Sequence, residues 1–216
     1  MRKTLLLLTT MALALLVAGG VALADHLANT VQCDPTLQNG YCWGTEESDH
    51  MYGSTVPVQF PDQQVDIIVG FGGDDQVDAL GNNDYVEGDE GNDTIYGGEG
   101  GDHGLWAGPG NDRVFGAAGE DYIWGQEGDD FVHGGPGNDL IENETGLPDV
   151  GAGKDQARGG GGNDIIFTGS HRDDGSSSNG DGYVDAVDCG SGTDTVHFEK
   201  GVDKINANCE IRKPYR

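Results

Sequence analysis

Regularly spaced aspartates are the residues of this chain with the most chemistry to offer. An aspartate stands at every ninth residue from Asp66 to Asp102, and from Asp112 to Asp139 after one step of ten. A 16-residue step through NETGLPDV then leads to Asp155. The aspartates in phase are Asp66, Asp75, Asp84, Asp93, Asp102, Asp112, Asp121, Asp130, Asp139, Asp155 and Asp164. Carboxylates in this number are typical ligands of a hard divalent cation.

Each aspartate is the sixth residue of a nine-residue repeat. Glycine stands first and fourth, and a large aliphatic residue stands eighth. Because glycine adopts a positive φ at no steric cost, we expect the first and fourth positions to turn the chain, with a short strand over the last three residues. The fully formed copies are GDEGNDTIY at 88–96, GAAGEDYIW at 116–124, GQEGDDFVH at 125–133, GGPGNDLIE at 134–142 and GGGGNDIIF at 159–167.

The eighth position supplies the predicted core. Only the Asp102 copy deviates, since Gly104 takes this slot and Leu105 follows, which predicts a one-residue bulge in the strand. Weaker copies around Asp49 and Asp194 bring the number of aspartates in the pattern to 13. The predicted inward residues are Met51, Ile68, Val77, Val86, Ile95, Val114, Ile123, Val132, Ile141, Ala157, Ile166 and Val196.

These copies fit the pattern G-G-x-G-x-D-x-U-x, so residues 44–167 resemble the RTX, or haemolysin-type, calcium-binding repeat family. The resemblance implies an all-β fold, a parallel β-roll or right-handed β-solenoid of nine-residue repeats with about 18 residues per coil. It also implies several calcium ions, held by the aspartates listed above together with carbonyl oxygens from the first and third repeat positions.

Stacking of alternate repeats gives a physical reason for calcium. Repeats two apart lie about 4.8 Å apart in such a coil, so Asp75 lies on Asp93 and Asp121 on Asp139, and like charges at that distance need neutralising. Calcium takes six to eight oxygen ligands, whereas magnesium keeps its waters and transition metals prefer nitrogen or sulfur. Aspartates that only make turns are the alternative, which explains one copy better than a phased series.

The first residues are typical of an export signal. Arg2 and Lys3 precede the apolar run Leu5 to Val17, and Ala22-Leu23-Ala24 fits an A-x-A cleavage site, so we expect a signal peptide at 1–24 and a secreted, extracellular protein, with cell-surface association or an uncleaved anchor as alternatives. The net charge of −27 makes nucleic acid an improbable partner and, after removal of the signal, a membrane as well.

Four cysteines in an exported chain favour disulfides over a zinc site. Spacing pairs Cys33 with Cys42 and Cys189 with Cys209, so each bond would cap one end of the coil. The predicted divisions are an N-terminal cap at 25–43, the repeats at 44–167, a Gly/Ser-rich loop at 168–188 and a C-terminal cap with a degenerate repeat at 189–216.

No catalytic constellation accompanies the repeats, since the six histidines are scattered and the 19 residues before the first copy are too few for a catalytic domain. The sequence therefore predicts a non-enzymatic calcium-binding protein whose folding is driven by the ions. The alternative function is calcium-dependent adhesion, or carbohydrate or protein binding, through outward aromatic residues such as Trp106 and Trp124, which could equally pack against one another.

Overall fold

The computed structural model describes residues 30–32, 41–53, 65–142, 153–169 and 182–215. These residues form strands and turns, and none of them belongs to a helix that could cross a membrane. The strands are β1 Thr30–Gln32, β2 Tyr41–Trp43, β3 His50–Tyr52, β4 Ile67–Val69, β5 Gln76–Asp78, β6 Tyr85–Glu87, β7 Thr94–Glu99, β8 Gly104–Pro109, β9 Arg113–Ala118, β10 Tyr122–Glu127, β11 Phe131–Pro136, β12 Leu140–Glu142, β13 Gln156–Gly161, β14 Ile165–Phe167, β15 Ala186–Ser191, β16 Thr195–Phe198, β17 Lys204–Ile205 and β18 Ile211–Pro214.

Consecutive strands alternate between two parallel sheets. The odd-numbered strands form one nine-stranded sheet in chain order and the even-numbered strands form the other, here named the odd sheet and the even sheet. Within a sheet the usual register offset is two repeats, so that Tyr122 of β10 lies beside Leu140 of β12. The predicted β-roll of nine-residue repeats, with two repeats to a coil, is confirmed.

The core is a double column of inward side chains between the two sheets. Every predicted inward residue is buried, and Leu105 takes the inward place in the copy with the insertion, in register with Val86 and Ile123. Trp106 folds back over Gly104, whose missing side chain leaves the room that the ring occupies. Each coil thus buries only two aliphatic side chains, one from each sheet.

The glycines act at different positions from those expected. Positive φ angles occur at the second and fourth positions, as in Ala117 at 77° and Gly119 at 143°, and not at the first. The expectation for the first position was therefore wrong, because glycine is needed there for space: a Cβ on Gly116 would collide with the Asp121 carboxylate. At the fourth position a Cβ on Gly119 would overlap the Gly100 carbonyl oxygen of the preceding coil.

The C-terminal end is closed by the disulfide between Cys189 and Cys209, as predicted. Cys42 is also disulfide-bonded and fills an inward position of β2, whereas its predicted partner Cys33 lies outside the described residues, as does the predicted signal peptide. The predicted loop extends too far, because β15 begins at Ala186 and residues 185–188 already belong to a repeat. The error arose because the predicted series of repeat aspartates did not include Asp185.

The fourth-position constraint predicts that Gly119→Ala destabilises the coil by about 2 to 3 kcal/mol, since the residue would combine strained backbone with a collision. Chemical denaturation in saturating calcium measures the loss. The matched control is Ala117→Gly, which relieves a positive φ and should leave stability unchanged or raise it. Equal losses for the two substitutions would contradict the argument.

Candidate metal centre

All of the predicted aspartates lie in two buried ladders, one along each turn-bearing edge of the coil. Their side chains are between 0% and 3% exposed although each is charged in water. Asp49, Asp185 and Asp194 are equally buried and continue the ladders. One ladder contains Asp49, Asp75, Asp93, Asp112, Asp130, Asp155 and Asp185, and the other contains Asp66, Asp84, Asp102, Asp121, Asp139, Asp164 and Asp194.

One carboxylate oxygen of each rung is used by the backbone. The N–H of Asp102 donates to Oδ1 of Asp121 at 2.9 Å, and the N–H of Asp121 donates to Oδ1 of Asp139 at 3.0 Å. The same bond joins every successive pair of both ladders at 2.7 to 3.0 Å. This hydrogen bond fixes the orientation of the carboxylate and leaves the second oxygen, Oδ2, available to another partner.

The second oxygen, Oδ2, is buried and accepts no hydrogen bond from the described residues in ten of the rungs. Such an atom is costly unless a partner is supplied, since a desolvated carboxylate oxygen needs a donor or a cation. The ten are Asp75, Asp84, Asp93, Asp102, Asp112, Asp121, Asp130, Asp139, Asp164 and Asp194.

Carbonyl oxygens converge on the same place as Oδ2. The space beside the first-position glycine Gly116 is approached both by Oδ2 of Asp121 and by the carbonyl oxygen of Gly134 from the next coil. Gly97, one coil earlier, has the equivalent neighbours, namely Oδ2 of Asp102 and the carbonyl oxygen of Gly116. A hard cation requires such an oxygen-only donor set, so the residues present fit calcium.

Burial also raises the pKa of these carboxyl groups as long as no cation faces them. Desolvation raises their pKa first, neighbouring carboxylates raise several further, and the backbone N–H that binds Oδ1 opposes the shift. The pKa rises to about 8 for Asp84 and Asp130, to about 7 for Asp75, Asp102, Asp112 and Asp139, and to about 6 for Asp93, Asp121 and Asp164.

Nowhere in the described residues do three or more acidic, histidine or cysteine side chains form one cluster. The ladder geometry explains why no such cluster forms, because only two consecutive carboxylates meet at any place and the other oxygens nearby are backbone carbonyls. A site of this kind combines one or two carboxylates with main-chain ligands.

The ladders end in residues that the sequence reasoning did not identify. Asp203 accepts the backbone N–H of Asp185 at 3.3 Å, and Glu210 accepts that of Asp194 at 3.1 Å. Asp185 and Asp203 stand nine residues to either side of Asp194, and each is followed after one residue by an aliphatic side chain. Stepping from Asp194 by nine in both directions would have found them.

A second polar ladder, exposed to solvent, follows the fifth repeat position and was also missed. Asn111 accepts the backbone N–H of Asp129 at 2.8 Å, and Asp129 accepts that of Lys154 at 2.8 Å. Two hydrogen bonds from Asn92 hold the pKa of Asp74 below its usual value. Here the later coil donates to the earlier, the opposite direction to the buried ladders. The signal was the frequent Asn or Asp directly before the repeat aspartate.

Residues 69–103, 106–141 and 149–184 match a family model described as RTX calcium-binding nonapeptide repeat (four copies). The chain belongs to the RTX calcium-binding repeat family. RTX repeats bind calcium ions and are a structural motif, not a catalytic one. No curated protein matches the chain.

The geometry indicates which atoms would hold the calcium ions that RTX repeats bind. Bound calcium would supply positive charge beside Oδ2. The chain supplies the rest: Oδ1 is tied to the backbone, Oδ2 is aimed at the first-position glycine, and a carbonyl of the next coil faces it, as at Asp121, Gly116 and Gly134.

The substitution Asp121→Asn should have opposite effects with and without calcium. The amide oxygen can still accept the Asp102 N–H, but one ligand charge is lost, so the calcium midpoint should rise about three- to tenfold. In chelator the same change removes a buried charge and should stabilise the coil. Calorimetric titration and denaturation measure the two effects. Asp129→Asn, in the exposed ladder, is the control and should change neither.

The raised pKa values predict the pH dependence of the calcium-free chain. Protonated aspartates favour the coil, so their contribution is fully present below the unfolded pKa near 4 and is lost as pH rises through the folded values of about 6 to 8. In chelator the β signal should therefore be larger at pH 4.5 than at pH 8.5. Calcium affinity should change in the opposite direction, because binding displaces protons, and circular dichroism follows both.

Proposed function

We propose that this chain is a secreted calcium-binding protein in which ions bound between stacked RTX turns drive folding of the β-roll. The observation that carries the proposal is the set of buried Oδ2 atoms in carboxylates whose Oδ1 is held by a backbone N–H. In several rungs, such as Asp102, Asp121 and Asp139, a carbonyl oxygen of the next coil approaches the same space as Oδ2. A fold that is stable without ions normally gives its buried polar atoms hydrogen-bond partners, whereas these Oδ2 atoms have none among the described residues.

Ion-driven folding is supported by the small core. Each nine-residue repeat buries one aliphatic side chain, while ordering each residue costs about 1 to 2 kcal/mol of backbone entropy. The net charge of −27 adds repulsion that the folded chain would concentrate. Cations remove this repulsion and join consecutive coils, so binding and folding should be one process that spreads from coil to coil.

Secretion is supported by the predicted signal at 1–24 and by the disulfide between Cys189 and Cys209, a bond favoured in oxidising compartments. Extracellular fluids also hold calcium at the concentrations that weaker oxygen-ligand sites require. The protein would remain unfolded where calcium is scarce and fold once outside. An enzymatic role has no support, since the matched repeats are a binding motif.

Carbohydrate binding by the outward aromatic residues is disfavoured by the ring geometry. Trp106 stacks on Trp124 with centroids 5.2 Å apart, and on Tyr85 at 5.7 Å. On the odd sheet, Tyr96 stacks on Phe115 at 5.0 Å. A sugar ring packs against an aromatic face, and rings on the two neighbouring strands cover both faces of Trp106. The aromatic residues pack along the rod, which was the other reading of their positions.

A calcium titration followed by far-UV circular dichroism tests the proposal. The β signal should rise cooperatively with calcium, because each ion joins two coils, and magnesium at the same concentration should produce little change. Reversal by chelator distinguishes binding from aggregation. A signal that stays flat throughout the titration would rule out ion-driven folding.

A further inference from the structure

The outer surfaces of the two sheets differ in character. Ten large apolar side chains are exposed in the described residues, and the odd sheet contributes only Tyr96 to them. Six belong to the outer surface of the even sheet: Tyr41, Trp43, Tyr85, Tyr122, Ile165 and Ile211. Because consecutive repeats alternate between sheets, this asymmetry becomes visible only when the strands are sorted by sheet.

Half-buried apolar residues fill the space between these six, which makes the surface continuous from β2 to β14. They are Ile67, Val69, Trp106, Trp124 and Leu140. Among the apolar side chains of the strip the charged residues are Glu87 and Glu142, and Glu142 accepts a hydrogen bond from the Trp124 indole. Glu127 lies at the end of β10, and Arg212 and Lys213 lie in β18, beyond the strip. The outer surface of the odd sheet instead carries charged residues along its length: Asp78, Arg113, Arg158, Asp188 and Lys204.

From this asymmetry we propose that the even sheet is the interface of a face-to-face dimer formed by two copies of this chain. The proposal rests on the calcium-bound fold argued above, since the surface exists only when the coil is formed. An exposed apolar strip of a few hundred Å² is often a site of interaction with another molecule.

A second copy is the occupant that fits the spacing of the strip. Its side-chain rows repeat at the strand spacing of about 4.8 Å, and only another sheet presents rows at the same spacing. The aromatic rings lie stacked with their edges outward, so the strip is flat and suits the sheet-on-sheet packing distance of about 10 Å.

The size of the strip fits a weak dimer. The seven strands from β2 to β14, at about 4.8 Å each, span about 30 Å, and three-residue strands with their side chains cover about 15 Å, giving roughly 450 Å² per copy. Two copies would bury roughly 900 Å², an area typical of weak association that depends on protein concentration.

Under two-fold symmetry, a protruding part of the strip in one copy faces a depression in the other copy. With the two-fold axis midway between the two facing sheets, above the central strand β10 and parallel to the strands, β14 of one copy lies over β6 of the other. A depression of about 260 Å³ lies at β6, with Tyr85, Ile67 and Trp106 in its lining. The exposed Ile165 of β14 would then fill it, twice in the dimer.

Calcium should control this association as well as folding. Two chains of net charge −27 repel each other, and each bound ion removes two negative charges. The acids of the exposed ladder, such as Asp74 and Asp129, lie at the turns and would remain in water in this arrangement.

Sedimentation velocity of the purified protein in saturating calcium, over a concentration series, tests the dimer, with circular dichroism on the same samples. Twice the monomer mass is expected. Tyr122→Glu on the even sheet should raise the dissociation constant at least tenfold, whereas Tyr96→Glu, of similar exposure on the odd sheet, should not.

A monomer with a full calcium-dependent β signal would overturn the dimer while leaving the proposed function intact. A flat β signal would overturn the proposed function itself, and the dimer with it. Loss of the dimer in Tyr96→Glu but not in Tyr122→Glu would assign the interface to the other sheet and contradict the proposal. Monomers that co-sediment with insoluble polysaccharide would point to a different occupant and contradict it too.

Discussion

The whole structure depends on neutralising carboxylates that are stacked out of reach of water. Each coil carries two aspartates, and these lie directly beneath two aspartates of the next coil. The carboxylates are buried when the coil forms, because Oδ1 of each accepts a hydrogen bond from a backbone N–H of the neighbouring coil. The core is too thin to compensate for unpaired charge on this scale. Under the proposed function, cations take the place that a hydrophobic core holds in most domains, and the other features follow from where the stacked carboxylates must lie.

Glycine placement is one such consequence. The first position is kept free so that a carboxylate and a carbonyl can approach the same space, while the fourth lets coils touch backbone to backbone. Second positions also take a positive φ, and Phe71, Leu80 and Gln126 occupy three of them. At other copies, such as Gly98 and Gly135, a Cβ would collide with a carbonyl oxygen of the preceding coil. The repeat motif thus records two different requirements, one for the ion and one for coil stacking.

The sequence was sufficient for the period, the sheets, the inward column and the predicted aspartates, because each is a strictly periodic signal. Asp185 was missed since a long insertion separates it from Asp164, although its nine-residue distance from Asp194 was visible. The positive φ of Phe71 was missed, although Gly98 and Gly135 at the same second position of other copies were a signal for it. The apolar strip could not be predicted from the sequence, because aromatic residues of consecutive repeats belong to opposite sheets and only the strand register shows which of them share a surface.

Two interruptions of the nine-residue period leave the ladders intact. Asp139 bonds to Asp164 across 25 residues and Asp164 to Asp194 across 30, each at 2.9 Å, close to the 3.0 Å of a pair separated by 18. Both interruptions follow even strands, β12 and β14, which are neighbours in the sheet. This edge of the coil consequently tolerates inserted sequence, so foreign segments could be grafted there side by side without altering the ladder of carboxylates.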